Sequence, residues 1–593
     1  TFSLVFAVEA ATGQLLWTYN PKVVFHQANS WTGRVNRGVA VWRDKVLVTV
    51  SDCRLLALDR KTGVEAWSQL TCDPEQGYSI SDAPYIGGGK VFVGNAGSEE
   101  GSKNRGYISA YDIQDGSFLW RFYTVPSDKP EENTSPAMQM AAKTWRGEEW
   151  KKYGGGGSAW NEMTYDPASG MLYFGTAGAL PYIHEKRNPE GGDNLFTSSI
   201  VAVHANTGKY AWHYQFVPED SWDYNATMNI VLADLEIRGE QRKTLMIAPK
   251  NGFFYVLDRT DGELLSANNY VMVNWASHID METGRPVLKP EGMYWKAPPG
   301  TSATVWPNGW GAHSTQPMAY HPVNGLVYIP AVNVPNVFTI LDNGEMMSTL
   351  QVFDEVDGMP HVPGKLIAWD PVSQRERWSV NHTVAFNGGL LATAGNLVFQ
   401  GDAEGKFSAY NAENGKRLWS VDTGSSITAT PVAYSINGQQ HVLIPIGAGS
   451  AMQFSYPSLH AGKKISGPAR LLSFSLEGRT SIPITHSVKP PLPELQPLAA
   501  SPETIERGRW LYSDQWCYGC HGAEAVAFRG GTVPDLRYAS PETHLQWDGI
   551  VIGGARSVKG MPAHEISSED AQAIRAYIIA RSHQLGAEEP QDP

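Results

Sequence analysis

Residues 109–120 read SAYDIQDGSFLW, and the same pattern returns along the chain. It is FAVEAATGQLLW at 6–17, LALDRKTGVEAW at 56–67, VAVHANTGKYAW at 201–212, IAWDPVSQRERW at 367–378 and SAYNAENGKRLW at 408–419. YVLDRTDGELL at 255–265 is a copy without the Trp, and LSFSLEGR at 472–479 is a weak one. The common pattern opens with the apolar alternation of a strand, turns tightly, in all but IAWDPVSQRERW through a Gly, and starts a second strand that in most copies carries the Trp. The Gly supplies the positive φ of the turn. The Trp is placed to fill the gap against the neighbouring unit. TYDPASGMLYFGT at 164–176 and AYHPVNGLVYIPA at 319–331 read as inner hairpins of units with long loops. Units of four short strands at a period of about 40–50 residues close into a ring, because one unit cannot bury both its faces alone. The expectation is an all-β propeller of eight blades over residues 1–482.

Composition agrees. The chain has 593 residues, more than one compact core without repeats supports. Its 20 Trp and 59 Gly, with 18 % charged residues, suit strands, tight turns and large buried aromatics. The net charge is −13 and no Lys/Arg run occurs, which excludes a nucleic-acid binder of the usual kind. No apolar stretch is long enough to span a bilayer, and no signal peptide is visible. Thr1 falls inside a repeat, so further residues are expected before it. Cys53 and Cys72 are either a disulfide of an oxidising compartment or two small buried hydrophobes.

A Pro-rich linker is expected over 483–502, PITHSVKPPLPELQPLAASP, and a separate unit over 503–593. That unit contains Cys517-Tyr-Gly-Cys520-His521, the covalent attachment motif of a c-type haem. Two thioethers need Cys at i and i+3 of one helical turn, and His521 then reaches the iron from the same side. ETIERGRWLY predicts a helix before the motif and SEDAQAIRAYIIARS one at the end. Met561, in VKGMPAH, is the candidate for the other axial position, with His564 as the rival. The order matches a small all-α class I cytochrome c. Covalent haem is attached outside the cytoplasm, so the expected compartment is the periplasm.

A propeller followed by a cytochrome c resembles the type II quinohemoprotein alcohol dehydrogenases. The likeness is densest in GGDNLFTSSIVAVHANTGKYAWHYQFVPEDSWDYNAT and IAPKNGFFYVLDRTDGELLSANNYVMVNWAS, and it is clear in VNRGVAVW, GGGGSAWNEMTYDP and NGGLLATAGNLVFQG. The resemblance implies pyrroloquinoline quinone (PQQ), calcium and haem c as cofactors. It implies Asp223 as the catalytic base and a calcium ligand. Glu99 is implied as a second calcium ligand, with Glu100 as its rival. Arg37 and Lys250 are implied as cations on the quinone's carboxylates, Ser81 and Asn387 as further cofactor contacts, and Trp160 as the ring on which the flat cofactor lies. The reduced quinone then passes electrons to the haem and on to an external cytochrome or small copper protein. The chain is expected to act as a monomer.

Three departures bear on the substrate. Trp31 and Thr32 stand where most of the family has two adjacent cysteines, so Trp31 is the candidate cover of the quinone. Gly178, in GTAG, stands where the family has a calcium-binding Asn. The segment SEEGSKNRG is longer than usual, and Phe386, Ser314 and Thr315 also differ. Missing vicinal cysteines with a C-terminal cytochrome are most similar to the lupanine-hydroxylase branch. That branch implies hydride removal next to a ring nitrogen of an alkaloid, followed by hydration. Oxidation of ordinary alcohols is the alternative, and a scaffold without a cofactor is a remote one.

Overall fold

The structure is a computed structural model that describes residues 3–23, 35–97, 103–341, 346–447, 467–484, 491–515, 517–527, 533–559 and 561–588. Trp31, Thr32, Glu99 and Glu100 lie outside the described residues.

Residues 40–422 form six four-stranded antiparallel meanders, the first running Ala40–Trp42, Lys45–Thr49, Arg54–Asp59 and Glu65–Leu70. A three-stranded sheet, Val432–Ile436 with Gln439–Ile446 and Arg470–Ser475, follows them. A two-stranded sheet, Val5–Val8 with Leu15–Tyr19, precedes them. A separate small sheet joins Ser302–Val305 to the hairpin Asn336–Ile340 and Met346–Leu350. The propeller expectation is thus met.

The repeat explains how the blades meet. The indole of Trp120 lies on the turn of the next repeat, where a Cβ on Gly208 would fall 2.5 Å from a ring carbon. Its Nε1 donates to Ala205 O at 3.0 Å. Trp212 packs in the same way on Gly262, and Trp378 on Gly415. Only glycine fits, because the turn needs both a positive φ and an absent side chain. The copy without a Trp completes the rule. Ser266 holds the Trp position of the repeat at 255–265, and the following repeat carries Gln374 instead of Gly, at φ 53°. Gln374 Nε2 donates to Ser266 Oγ at 2.8 Å, so a hydrogen bond replaces the indole–glycine contact.

In an antiparallel meander the start of the first strand, the second connection and the end of the fourth strand share one face. Arg37, Ser81, Trp160, Asp223 and Asn387 precede first strands, and Lys250 follows the second strand Glu240–Ile247. That is why positions far apart in sequence converge. Cys53 and Cys72, on the same face, form a disulfide, which settles the open alternative.

Towards the C-terminus the described elements are helices: Pro502–Asp514, Tyr518–His521, Pro541–Leu545, Trp547–Val551 and Ser568–Glu588, with short 3-10 turns between them. Ser501 caps the first helix at Thr504 N. The helices close on Leu511, Tyr512, Trp547, Ile574 and Tyr577. Among the described residues no helix is long and apolar enough to cross a membrane.

Candidate active site

Asp223 sits in a five-residue loop whose other members are all pinned. Asp220 is buried and accepts from Trp222 N, Tyr224 N and Ser198 Oγ, each at 3.0 Å. Ser221 O accepts from Tyr294 Oη, Trp222 Nε1 donates to Gly292 O, and Tyr224 Oη donates to Pro307 O. Arg187 is fully buried and donates to Asp220 O at 2.8 Å, Pro181 O at 2.6 Å and Tyr182 O at 2.7 Å. It thereby ties the segment after Gly178 to the Asp223 loop. The loop holds Asp223 at φ 65°, a conformation that non-glycine residues adopt only where the surroundings impose it.

Asp223 Oδ2 accepts from Lys250 Nζ at 2.8 Å, and Oδ1 accepts from Asn225 Nδ2 at 2.7 Å. Asn225 Oδ1 in turn accepts from Trp160 Nε1 at 2.7 Å. The Trp160 ring has two cations beside it: the Arg37 guanidinium at 5.2 Å and Lys250 Nζ at 5.8 Å from its centroid. Arg37 Nη1 donates to Ser81 Oγ at 2.6 Å. Arg37, Ser81, Trp160, Lys250 and Asp223 therefore form one connected group. Asn387 is not shown joining it: its Oδ1 accepts from Ala403 N and its Nδ2 donates to Val384 O, which shapes its own loop. Phe386, next to it, is buried against Val332, Val334, Leu350 and Trp310.

Burial pushes the Asp223 carboxyl up, while Lys250 and Asn225 pull it back. The opposed pulls of burial and of Lys250 suit a general base. Burial pushes Asp220 up to about 6. Two further acids were not found by sequence reading. Burial raises Asp82 to about 7 and Glu162 to about 8, and Arg37 lowers both. Tyr85 Oη donates to Asp82 Oδ1 at 3.2 Å. Asn225, Asp220 and Arg187 were missed as well. The only signal for the first two was their position in EDSWDYN.

An aromatic face with the buried Lys250 and the half-buried Arg37 beside it fits a flat, carboxylate-bearing cofactor. A calcium ion finds less here. Gly178 contributes no side chain, and a Cβ there would lie 2.8 Å from Asp220 Oδ2. Asp220 is already fully hydrogen-bonded. Asp223 offers a carboxylate to such an ion, and among the described residues no group of three or more metal-ligating side chains forms.

In the helical unit a cavity of about 280 Å³ is lined by Cys517, His521 and Met561, with Tyr512, Trp547 and Ile574 among its walls. His521 Nδ1 hydrogen-bonds Pro534 O at 3.0 Å, so Nδ1 is not the nitrogen a metal would take. His564 is not among the lining residues. A largely apolar slot bounded by two Cys-motif residues and a thioether fits a c-type haem.

Residues 1–279 and 361–442 match the family model of the PQQ-binding glucose/ethanol/alcohol dehydrogenase β-propeller domain. The quinohemoprotein alcohol dehydrogenase ADH IIB of Pseudomonas putida is 44 % identical, over 98 % of this chain and 85 % of that protein. Lupanine 17-hydroxylase of a Pseudomonas species is 42 % identical, over 98 % of this chain and 83 % of that protein. The solved structure of quinohemoprotein alcohol dehydrogenase ADHIIG from Pseudomonas putida superposes with a TM-score of 0.91 at 42 % identity, covering 99 % of this chain and 87 % of that one. The shared propeller, the CxxCH unit behind it and identity over nearly the whole length all point one way: this chain belongs to the PQQ-dependent quinohemoprotein dehydrogenases, a family of oxidoreductases.

Proposed function

We propose that the chain removes a hydride from a carbon that bears oxygen or nitrogen and delivers the electrons, through its own haem c, to an external periplasmic acceptor. The observation that carries this is the connected group from Arg37 through Trp160 and Asn225 to Asp223 and Lys250. PQQ, when bound, supplies the two-electron acceptor. Arg37 and Lys250 neutralise and orient its carboxylates, Ser81 and Asn387 shape its rim, and Trp160 provides the platform. Asp223 holds the proton that the substrate gives up, and Lys250 keeps that carboxylate ionised beforehand. Calcium is proposed at Glu99 and Asp223, and Trp31 as the cover. Cys517 and Cys520 hold the haem, with His521 and Met561 on its iron. The fold is proposed to be an eight-bladed propeller over 1–482, joined by 483–502 to a cytochrome c over 503–593 and working as a monomer.

For the substrate we propose lupanine, dehydrogenated next to its ring nitrogen and then hydrated. The residues Trp31, Thr32 and Gly178, which depart from the family pattern, support it. A primary or secondary alcohol is the second reading, favoured by the alcohol dehydrogenases at 44 % and 43 % identity. The test is steady-state turnover of the PQQ- and calcium-loaded protein with lupanine and with an alcohol panel. Turnover of lupanine alone supports the alkaloid reading. Turnover of alcohols alone replaces it with the second. No turnover of either, with no PQQ extractable, contradicts the enzyme reading.

A further inference from the structure

A cavity of about 490 Å³ opens near the Cys53–Cys72 disulfide, lined by none of the residues that form the group around Asp223. Its size lies within the usual range of small-molecule sites. Four side chains form its distinctive wall. The Arg105 guanidinium lies 3.7 Å from the ring centroid of Tyr123, and that of Arg121 lies 3.8 Å from the ring of Tyr107. The two tyrosines meet edge to face at 5.8 Å. The result is a stack with a guanidinium at each end.

Glu132 and Asp128 act on Arg105 through space without pairing with it. Among the described residues neither arginine forms an ion pair, although three acids also line the cavity. Each acid is engaged elsewhere. Asp128 pairs with Lys103 at 3.0 Å. Glu132 accepts from Ser127 Oγ at 2.7 Å and pairs with Lys129. Asp73 accepts from Glu75 N and Gln76 Nε2. Arg105 Nε donates to Val125 O at 2.9 Å, but its Nη2 is buried with no hydrogen-bond partner.

We propose that this cavity binds a small organic carboxylate. A guanidinium matches a carboxylate, and those of Arg105 and Arg121 both line the cavity. Arg121 adds a second positive charge. The tyrosine rings, Leu70 and Pro126 favour a carbon-based body over an inorganic anion.

The probe is 4-bromobenzoate, titrated calorimetrically into the full chain loaded with PQQ and haem. The expected result is one saturable site that weakens at least tenfold in Arg105→Gln and in Arg121→Gln. Crystals of the unsubstituted chain soaked in the probe give a result even where those variants fail to fold, and a bromine anomalous peak in this cavity is expected. Unchanged affinity in both variants, a peak only elsewhere, equal binding of 4-bromobenzamide, or equally tight competition by inorganic phosphate would each overturn the proposal.

Discussion

Asp223 owes its readiness to two opposed neighbours: a buried site that disfavours its charge and a lysine 2.8 Å away that favours it. Asp223→Asn keeps the shape and the Asn225 contact but cannot take a proton. Turnover is expected to fall by about a hundredfold to ten-thousandfold while bound PQQ, read by its absorbance, is retained. Loss of PQQ with no loss of turnover per bound cofactor would contradict the role. A pH effect belongs to the other acids. Arg37, Asp82, Tyr85 and Glu162 face one another, and burial holds Asp82 near 7 and Glu162 near 8. Both values lie above those of the unfolded chain, about 4. The folded state therefore keeps protons that the unfolded state has released. Stability of the cofactor-free chain should fall as pH rises from about 4 to about 8 and then level off with respect to these groups. Denaturant titrations across that window should show a flatter profile for the Asp82→Asn/Glu162→Gln double variant.

At the scale of elements, the Asp220–Arg187 hub fixes the loop that presents Asp223. Asp220→Ala removes three acceptor bonds from buried donors and is expected to lower kcat at least tenfold with haem absorbance unchanged. Gly208→Ala places a Cβ against the Trp120 indole at a positive φ and should destabilise the propeller by about 2 kcal/mol or more. Gln374→Ala should cost about 1 kcal/mol, since the side chain's hydrogen bonds to Ser266 Oγ and Pro371 O are lost. Calorimetric melting of the two variants checks the contrast. These elements also show what was legible in sequence. The repeats, the CxxCH unit and its flanking helices could be read because each is local: a period, a spacing, a capped helix. Asp223, Lys250 and Arg37 could be placed only through resemblance to a family. Asp82, Glu162 and Arg187 carried no local signal, because what singles them out is burial beside a charge from a distant part of the chain. The compensating pair Ser266 and Gln374 was visible only as two separate departures from the repeat.

For the whole molecule, one chain carries both a site for substrate oxidation and a haem unit. Met561 lines the same cavity as Cys517 and His521, and thioether ligation raises a haem's potential. Met561→His should therefore lower the reduction potential, measured by redox titration, and slow the transfer of electrons into the haem. The central claim is that electrons pass from the propeller to the haem of the same chain. The direct measurement is anaerobic rapid mixing of the oxidised, PQQ-loaded protein with substrate, following haem absorbance over a tenfold range of protein concentration. The account predicts haem reduction at a rate that does not depend on protein concentration and that is lost in Asp223→Asn. A rate that rises in proportion to concentration, or a haem that stays oxidised while substrate is consumed, would contradict it.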